Sequence, residues 1–133
     1  MTRLLLDSSA YIAFKKRHAA VLDILSQVEE IFISPIVLGE LRAGFLQGSK
    51  TEANERELSA FLESSRVTIL PVDEETADRY ATIRASLKKA GTPIGSNDVW
   101  IAAGAMQHGL PILTSDTDFQ KIPQVIAHHF SSA

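Results

Sequence analysis

The sequence predicts an α/β fold in which a mainly parallel sheet of about five strands carries helices on both faces. Short apolar runs of strand length alternate with longer helical patterns along the chain. The connections between successive runs are long enough for right-handed crossovers. The first run, Arg3-Leu4-Leu5-Leu6, is too uniformly apolar for a half-exposed strand and reads as one covered on both faces.

Each element follows from local chemistry. After the strand 3–6, Asp7-Ser8-Ser9 supplies N-cap groups for a helix through Ala10 to about Lys16. A second helix runs across Ala20, Leu22, Ile24, Leu25 and Val28, and Ile31-Phe32-Ile33 reads as a strand. Ser34-Pro35 opens the next helix, with Ser as cap and Pro at the first helical position. That helix carries Val37, Leu41 and Phe45 on one stripe and Ile36, Glu40 and Gly44 on the adjoining one, so Gly44 leaves space one turn beyond Glu40. Residues 47–54 are polar and loop-like, 55–64 form a helix with a charged face, and Val67-Thr68-Ile69-Leu70 is a strand. The longest helix runs from Asp73 to Ala90, acidic at its start and basic at its end as the macrodipole favours, with Gly91 as its stop. Ser96 or Asn97 is expected to cap a helix to about His108, which Gly109 ends. Strands at 111–114 and 125–130 complete the sheet.

The chain has 133 residues, 45% of them hydrophobic, which suits a packed domain and argues against disorder. No repeat or linker divides residues 1–133, which read as a single domain. Cysteine is absent, so neither a disulfide framework nor a thiolate metal site is available, and a reducing cytoplasm is the natural compartment. No secretory leader pattern opens the chain and no apolar run approaches a membrane span, so a soluble protein without a membrane partner is expected.

Four carboxylates carry the functional signal. Asp7 follows the first strand and Asp116 the strand at 111–114, the carboxyl ends where open α/β sheets form their ligand crevice. Glu40 sits mid-helix among apolar neighbours, and Asp98 opens an Ala-rich helix. Two ionised carboxylates about 5 Å apart, at an effective dielectric of about 20, repel by roughly 3 kcal/mol, so a cluster must protonate, pair with cations or hold a metal. Asp7 and Asp116 also suit plain helix caps, Asp98 a dipole-favoured acid in the first turn of its helix, and Glu40 a salt bridge to Arg84 or Arg3. Coincidence of all four at matched places favours the metal.

Oxygen-only ligands suit Mg²⁺ or Mn²⁺, not zinc. Ser8, Ser9, Thr114 and Ser115 adjoin the acids and can hold a carboxylate in place, or serve only ordinary turns. The four histidines are scattered, and His128 and His129 point to opposite faces of a strand, so all read as structural or surface residues. Nucleophile-elbow, Walker and dinucleotide patterns are missing. With the four acids neutralised, the net charge of −3 becomes +1, and Lys15, Lys16, Arg17, Arg42, Arg84, Lys88 and Lys89 are available to line a phosphate-binding groove.

Leu4-Leu5-Leu6-Asp7-Ser8-Ser9-Ala10, Ser34-Pro35-Ile36-Val37-Leu38-Gly39-Glu40-Leu41, Ile94-Gly95-Ser96-Asn97-Asp98-Val99-Trp100-Ile101-Ala102-Ala103 and Leu113-Thr114-Ser115-Asp116-Thr117-Asp118-Phe119 resemble the four motifs of PIN-domain nucleases, closest to VapC-type toxins of toxin–antitoxin pairs. The third motif is the most specific, and the fourth leaves a choice between Asp116 and Asp118, of which Asp116, at the sheet edge level with Asp7, is expected to meet the cation while Asp118 caps the local turn. The resemblance implies a PIN-like three-layer α/β/α nuclease domain and a Mg²⁺- or Mn²⁺-dependent endoribonuclease. In it, Asp7, Glu40, Asp98 and Asp116 hold one or two cations, and Ser8, Ser9, Asn97, Thr114, Ser115 and Asp118 support them. Lys15, Lys16, Arg17 and Arg42 are candidates for contact with the RNA substrate. A homodimer and a cognate antitoxin that inserts a basic side chain into the acidic site are implied as well.

Rival readings are weaker on specifics. A phosphate-accepting receiver domain needs paired acids after the first strand, and a haloacid-dehalogenase-like phosphatase needs a second acid where Ser9 stands. A catalytically silent scaffold acting as a binding module, or a housekeeping RNA-processing nuclease without an antitoxin, remain the alternatives on the same fold.

Overall fold

The computed structural model describes residues 2–132. It contains β1 (Arg3–Leu6), α1 (Ser8–Lys15), α2 (Ala19–Gln27), β2 (Glu30–Ile33), α3 (Pro35–Gln47), α4 (Thr51–Leu62), β3 (Val67–Ile69), α5 (Glu74–Ala90), α6 (Ser96–His108), β4 (Ile112–Thr114), a short 3-10 helix (Thr117–Lys121) and β5 (Ala127–His129). The five strands form one sheet in the order β3-β2-β1-β4-β5, every pairing parallel. From β1 the chain builds outward through β2 to β3, then returns to place β4 and β5 on the other side. The switch point therefore lies between β1 and β4, where an open α/β sheet leaves a crevice at the carboxyl ends of its strands.

Register fixes what reaches that crevice. Leu6 pairs with Ile33 on one side and Leu113 on the other. The next residue of each strand, Asp7, Ser34 and Thr114, therefore emerges at one level of the sheet edge.

The pleat divides the core in two. Leu5 and Ile112 face a cluster with Val37, Leu41, Leu58, Ile83, Val99 and Ala102, while Leu4, Leu6, Ile31 and Leu113 face one with Ala10, Val21, Leu25 and Phe130. Helices α3 to α6 thus cover one face and α1 and α2 the other, giving the expected three layers. Leu4, Leu5 and Leu6 are all 0% exposed, as a strand covered on both faces requires. Burying such a side chain contributes about 1.5–3 kcal/mol each.

Several boundaries differ from the sequence reading. The loop expected at 47–54 shrinks, because α4 starts at Thr51. The Thr51 hydroxyl donates to the Phe45 carbonyl at 2.7 Å, satisfying one of the last acceptors of α3. Neither Ser96 nor Asn97 caps α6: the N-cap is Gly95, with no side-chain cap bond. The last strand is three residues long, not six. Asp73 and Thr76 close a capping box on α5, and Gly91 ends that helix at φ +71°, a left-handed conformation an L side chain rarely adopts. Among the described residues, no helix is long and apolar enough to cross a membrane.

Candidate active site at the sheet switch point

Asp7 is 4% exposed, and a carboxylate that deep must be hydrogen-bonded. Its Oδ1 accepts from the Ser9 hydroxyl at 2.6 Å and the Ala10 amide at 2.9 Å, and its Oδ2 accepts from the Thr114 hydroxyl. Asp7 is therefore the N-cap of α1 as well as an acid of the crevice. The capping and site readings describe the same side chain.

Hydroxyls then knit the β1 and β4 ends together. The Ser9 hydroxyl accepts from the Ser115 amide at 3.0 Å, and Thr114 Oγ1 accepts from the Asp116 amide at 2.9 Å. His129 Nε2 meets the Ser115 carbonyl at 3.1 Å, so a histidine with no place in the sequence-level site supports the loop that carries Asp116. The parallel register of Thr114 with His129 is what aligns it, and only the pairing reveals that.

Glu40 comes to the site from α3, whose start Ser34 and Pro35 set as expected. Its Oε1 accepts from the Ser8 hydroxyl at 2.7 Å and its Oε2 from the Asn97 amide at 3.2 Å. The salt-bridge alternative fails, since Arg84 donates to Ile94, Tyr80 and Ser96, and Arg3 to the His108 carbonyl. Glu40 is half-buried, less deep than its apolar neighbours suggested, because it opens on a cleft lined by Pro35, Gly39, Gly44 and Asn97. Nothing lies within 4 Å of where a Cβ on Gly44 would be, the space anticipated one turn beyond Glu40.

Asp98, in the first turn of α6, brings the acids together electrostatically. Its carboxyl is pushed up to about 6, first by burial and then by the charges of Asp116, Glu40, Asp7 and Asp118. Asp7 is also raised, by burial above all, with the hydrogen bonds from Ser9, Thr114 and Ala10 pulling the other way. One carboxylate oxygen from each of Asp98, Asp116 and Asp118 lies within 4.8 Å of the others. Asp118 was expected to cap its local turn, with Asp116 alone at the cluster. The structure assigns the cap to Asp116, whose Oδ1 accepts from the Asp118 amide at 2.8 Å, and brings both acids to Asp98. The chain turns through a 3-10 helix here, and its tight winding carries Asp118 back to the crevice while Phe119 goes into the core at 1% exposure.

The expected basic residues divide. Lys15 pairs with Glu57, and Arg42 pairs with Glu55 at 2.9 Å, so both join their helices to α4. Lys16 lines a cleft with Ser9, Ile12, His18, Ser115 and Phe130, beside the acids. Arg17 is exposed at the end of α1 with φ +60°. Among the described residues, the one ion pair made by the clustered acids is Lys121 with Asp118, at 2.9 Å. A donor set of oxygens alone, crowded and with so little positive charge to balance it, fits a hard divalent cation.

Fold and site together define an α/β domain with an oxygen-ligand acid centre at its switch point. Residues 4–125 match the PIN domain family model, and the chain belongs to that family. It is similar to Ribonuclease VapC4 of Mycobacterium tuberculosis, 41% identical over 93 residues, covering 70% of this chain and 72% of that protein. Ribonuclease VapC of Rickettsia bellii is 36% identical over 125 residues, 92% of each chain. Among solved structures, VapBC2 from Rickettsia felis, bound to a DNA fragment from its promoter, superposes with a TM-score of 0.88 at 28% identity, covering 98% of this chain and 100% of the matched one.

Proposed function

We propose that this protein is a metal-dependent endoribonuclease and the toxin of a toxin–antitoxin pair, acting in the cytoplasm as a homodimer. The observation that carries the reading is the cluster of Asp98, Asp116 and Asp118, one oxygen of each within 4.8 Å of the others, with Asp7 after β1 and Glu40 on α3 near enough for their charges to raise the Asp98 carboxyl. The ribonuclease names of its relatives support the substrate class, and the VapBC complex among its structural neighbours supports an antitoxin partner.

In this reading Asp7, Glu40, Asp98 and Asp116 hold one or two Mg²⁺ or Mn²⁺ ions, and Asp118 adds a further oxygen. The bound cation supplies an activated water and offsets negative charge on the phosphodiester. The chain's own residues supply placement: Ser9 and Thr114 fix both oxygens of Asp7, and Ser8 and Asn97 fix both oxygens of Glu40. Lys16, beside the Ser9 and Ser115 edge, meets the backbone of the RNA.

Expression of the protein alone should arrest growth, and co-expression of the small protein encoded beside it should relieve the arrest. Purified protein should cleave RNA with Mn²⁺ and not with chelator. A host indifferent to high levels of protein that cleaves RNA would remove the toxin role and leave the nuclease.

A further inference from the structure

Helix α6 delivers two residues to the acid centre, Asn97 and Asp98, yet its N-terminus has no side-chain cap. Gly95 precedes it with no side chain at all, and a helix start without a cap is where the backbone frays most readily. Another group does the holding. Arg84, midway along α5, donates from Nη1 to the Ile94 carbonyl at 3.0 Å and from Nη2 to the Ser96 hydroxyl at 3.1 Å. These acceptors flank Gly95 on either side.

The guanidinium is itself fixed. Its Nη2 also donates to the Tyr80 hydroxyl at 3.0 Å, one turn back on α5, and its carbon lies 5.4 Å from the centre of the Tyr80 ring. That ring stacks on Trp100 of α6, with centroids 4.1 Å apart and planes at 24°. Arg84 thus grips the entry to α6 from α5, while the Tyr80–Trp100 stack locks the same two helices one turn further along. All of its hydrogen-bond acceptors are neutral, so what it contributes is geometry. A planar fork spreads its donors over a rigid frame that reaches diverging acceptors, whereas a lysine ammonium offers its three donors from one point on a flexible stem.

We propose that Arg84 is a positioning residue that clamps the entry to α6 and thereby sets Asn97 and Asp98 in the acid centre. The role rests on the metal-site reading given above. Ligand oxygens must be held within about 0.5 Å of their productive positions, and loss of groups that orient ligands typically costs about 10–100-fold in metal affinity.

The test compares Arg84→Lys, Arg84→Met and Ser96→Ala with Arg79→Met, a control on the same helix whose arginine pairs with Glu75 at the surface. Amide exchange is read first, in metal-free protein. The Arg84 variants should exchange faster than wild type at residues 99–101, the first amides of α6 with a helical acceptor, beginning with Val99 on the Gly95 carbonyl at 3.2 Å, with β1 unchanged, and Ser96→Ala should fall between. Manganese binding is read second, and its half-saturation should rise about 10-fold or more in Arg84→Lys, while Arg79→Met matches wild type. Should Arg84→Met fail to fold, Arg84→Lys, which keeps the stem and charge, carries the test. Wild-type exchange and manganese affinity in Arg84→Lys would overturn the clamp. If wild-type protein itself binds no manganese, the metal-site reading fails separately, and unchanged exchange at residues 99–101 would then overturn the clamp by itself.

Discussion

The Ser8 hydroxyl donates to Oε1 of Glu40 at 2.7 Å, joining residues 32 positions apart in the chain. Its neighbour Ser9 donates to Asp7 at 2.6 Å. One helix start therefore serves two acids on two different elements, and the pair of serines after β1 is part of how the carboxylates are held.

The two serines should differ in cost. Ser9→Ala removes a donor from buried Asp7 and leaves the Ser115 amide without its acceptor, so unfolding free energy should fall by about 1–3 kcal/mol. Ser8→Ala leaves Glu40 with Asn97 and should cost about 1 kcal/mol or less. Urea denaturation of the two variants checks the order.

Stability without metal should fall as pH rises. Asp98 titrates near 6 in the folded protein, against 3.8 as the ordinary value, so between those values the folded state holds a proton that the unfolded state has lost. Stability is therefore greatest below about pH 4, as far as this group decides it, and declines until pH passes about 6. Asp7, also raised, acts in the same direction. Asp98→Asn should flatten the decline and raise the metal-free melting temperature at pH 7. Metal binding needs the ionised carboxylate, so manganese affinity should increase across the same interval. Thermal melts at pH 5 and pH 7, with and without Mn²⁺, read both trends.

Asp116 and Asp118 both stand near Asp98, but their surroundings differ. Asp118 is paired with Lys121, whereas Asp116 is spent on the cap of its own turn, a bond that Asn reproduces. Asp116→Asn and Asp118→Asn should each raise the Mn²⁺ concentration needed for half-maximal cleavage, and neither should approach the loss in Asp98→Asn. Lys121→Ala frees the Asp118 carboxylate and should lower that concentration. Cleavage measured against Mn²⁺ concentration for the four variants decides whether Asp118 belongs to the site.

Much of this was legible in the residues. The apolar run Leu4-Leu5-Leu6 ending in an acid marked a doubly covered strand and its carboxyl edge, and Ser34-Pro35 marked the start of α3 that brings Glu40 round. The acid at Asp98 and the amide at Asn97 were visible for the same reason, being in the first turn of a well-defined helix. What stayed hidden depends on pairing across the fold. No local pattern shows that His129 will face the Ser115 carbonyl, that Arg84 will reach over Gly95, or that a 3-10 turn will bring Asp118 beside Asp116. Lys15 and Arg42 look available for substrate contact in the sequence because their acidic partners on α4 lie 42 and 13 residues away, a distance at which sequence spacing carries no contact information.

The central claim is that the acids meeting at the switch point hold a divalent cation used to cut RNA. The most direct test is cleavage of RNA by wild-type and Asp98→Asn protein, titrated with Mn²⁺ and repeated in chelator, with folding of both confirmed by circular dichroism. Wild type should cleave only with the metal, and Asp98→Asn, folded and at least as stable without metal, should be inactive across the titration. Equal cleavage by a folded Asp98→Asn protein, or undiminished wild-type cleavage in chelator, would contradict it.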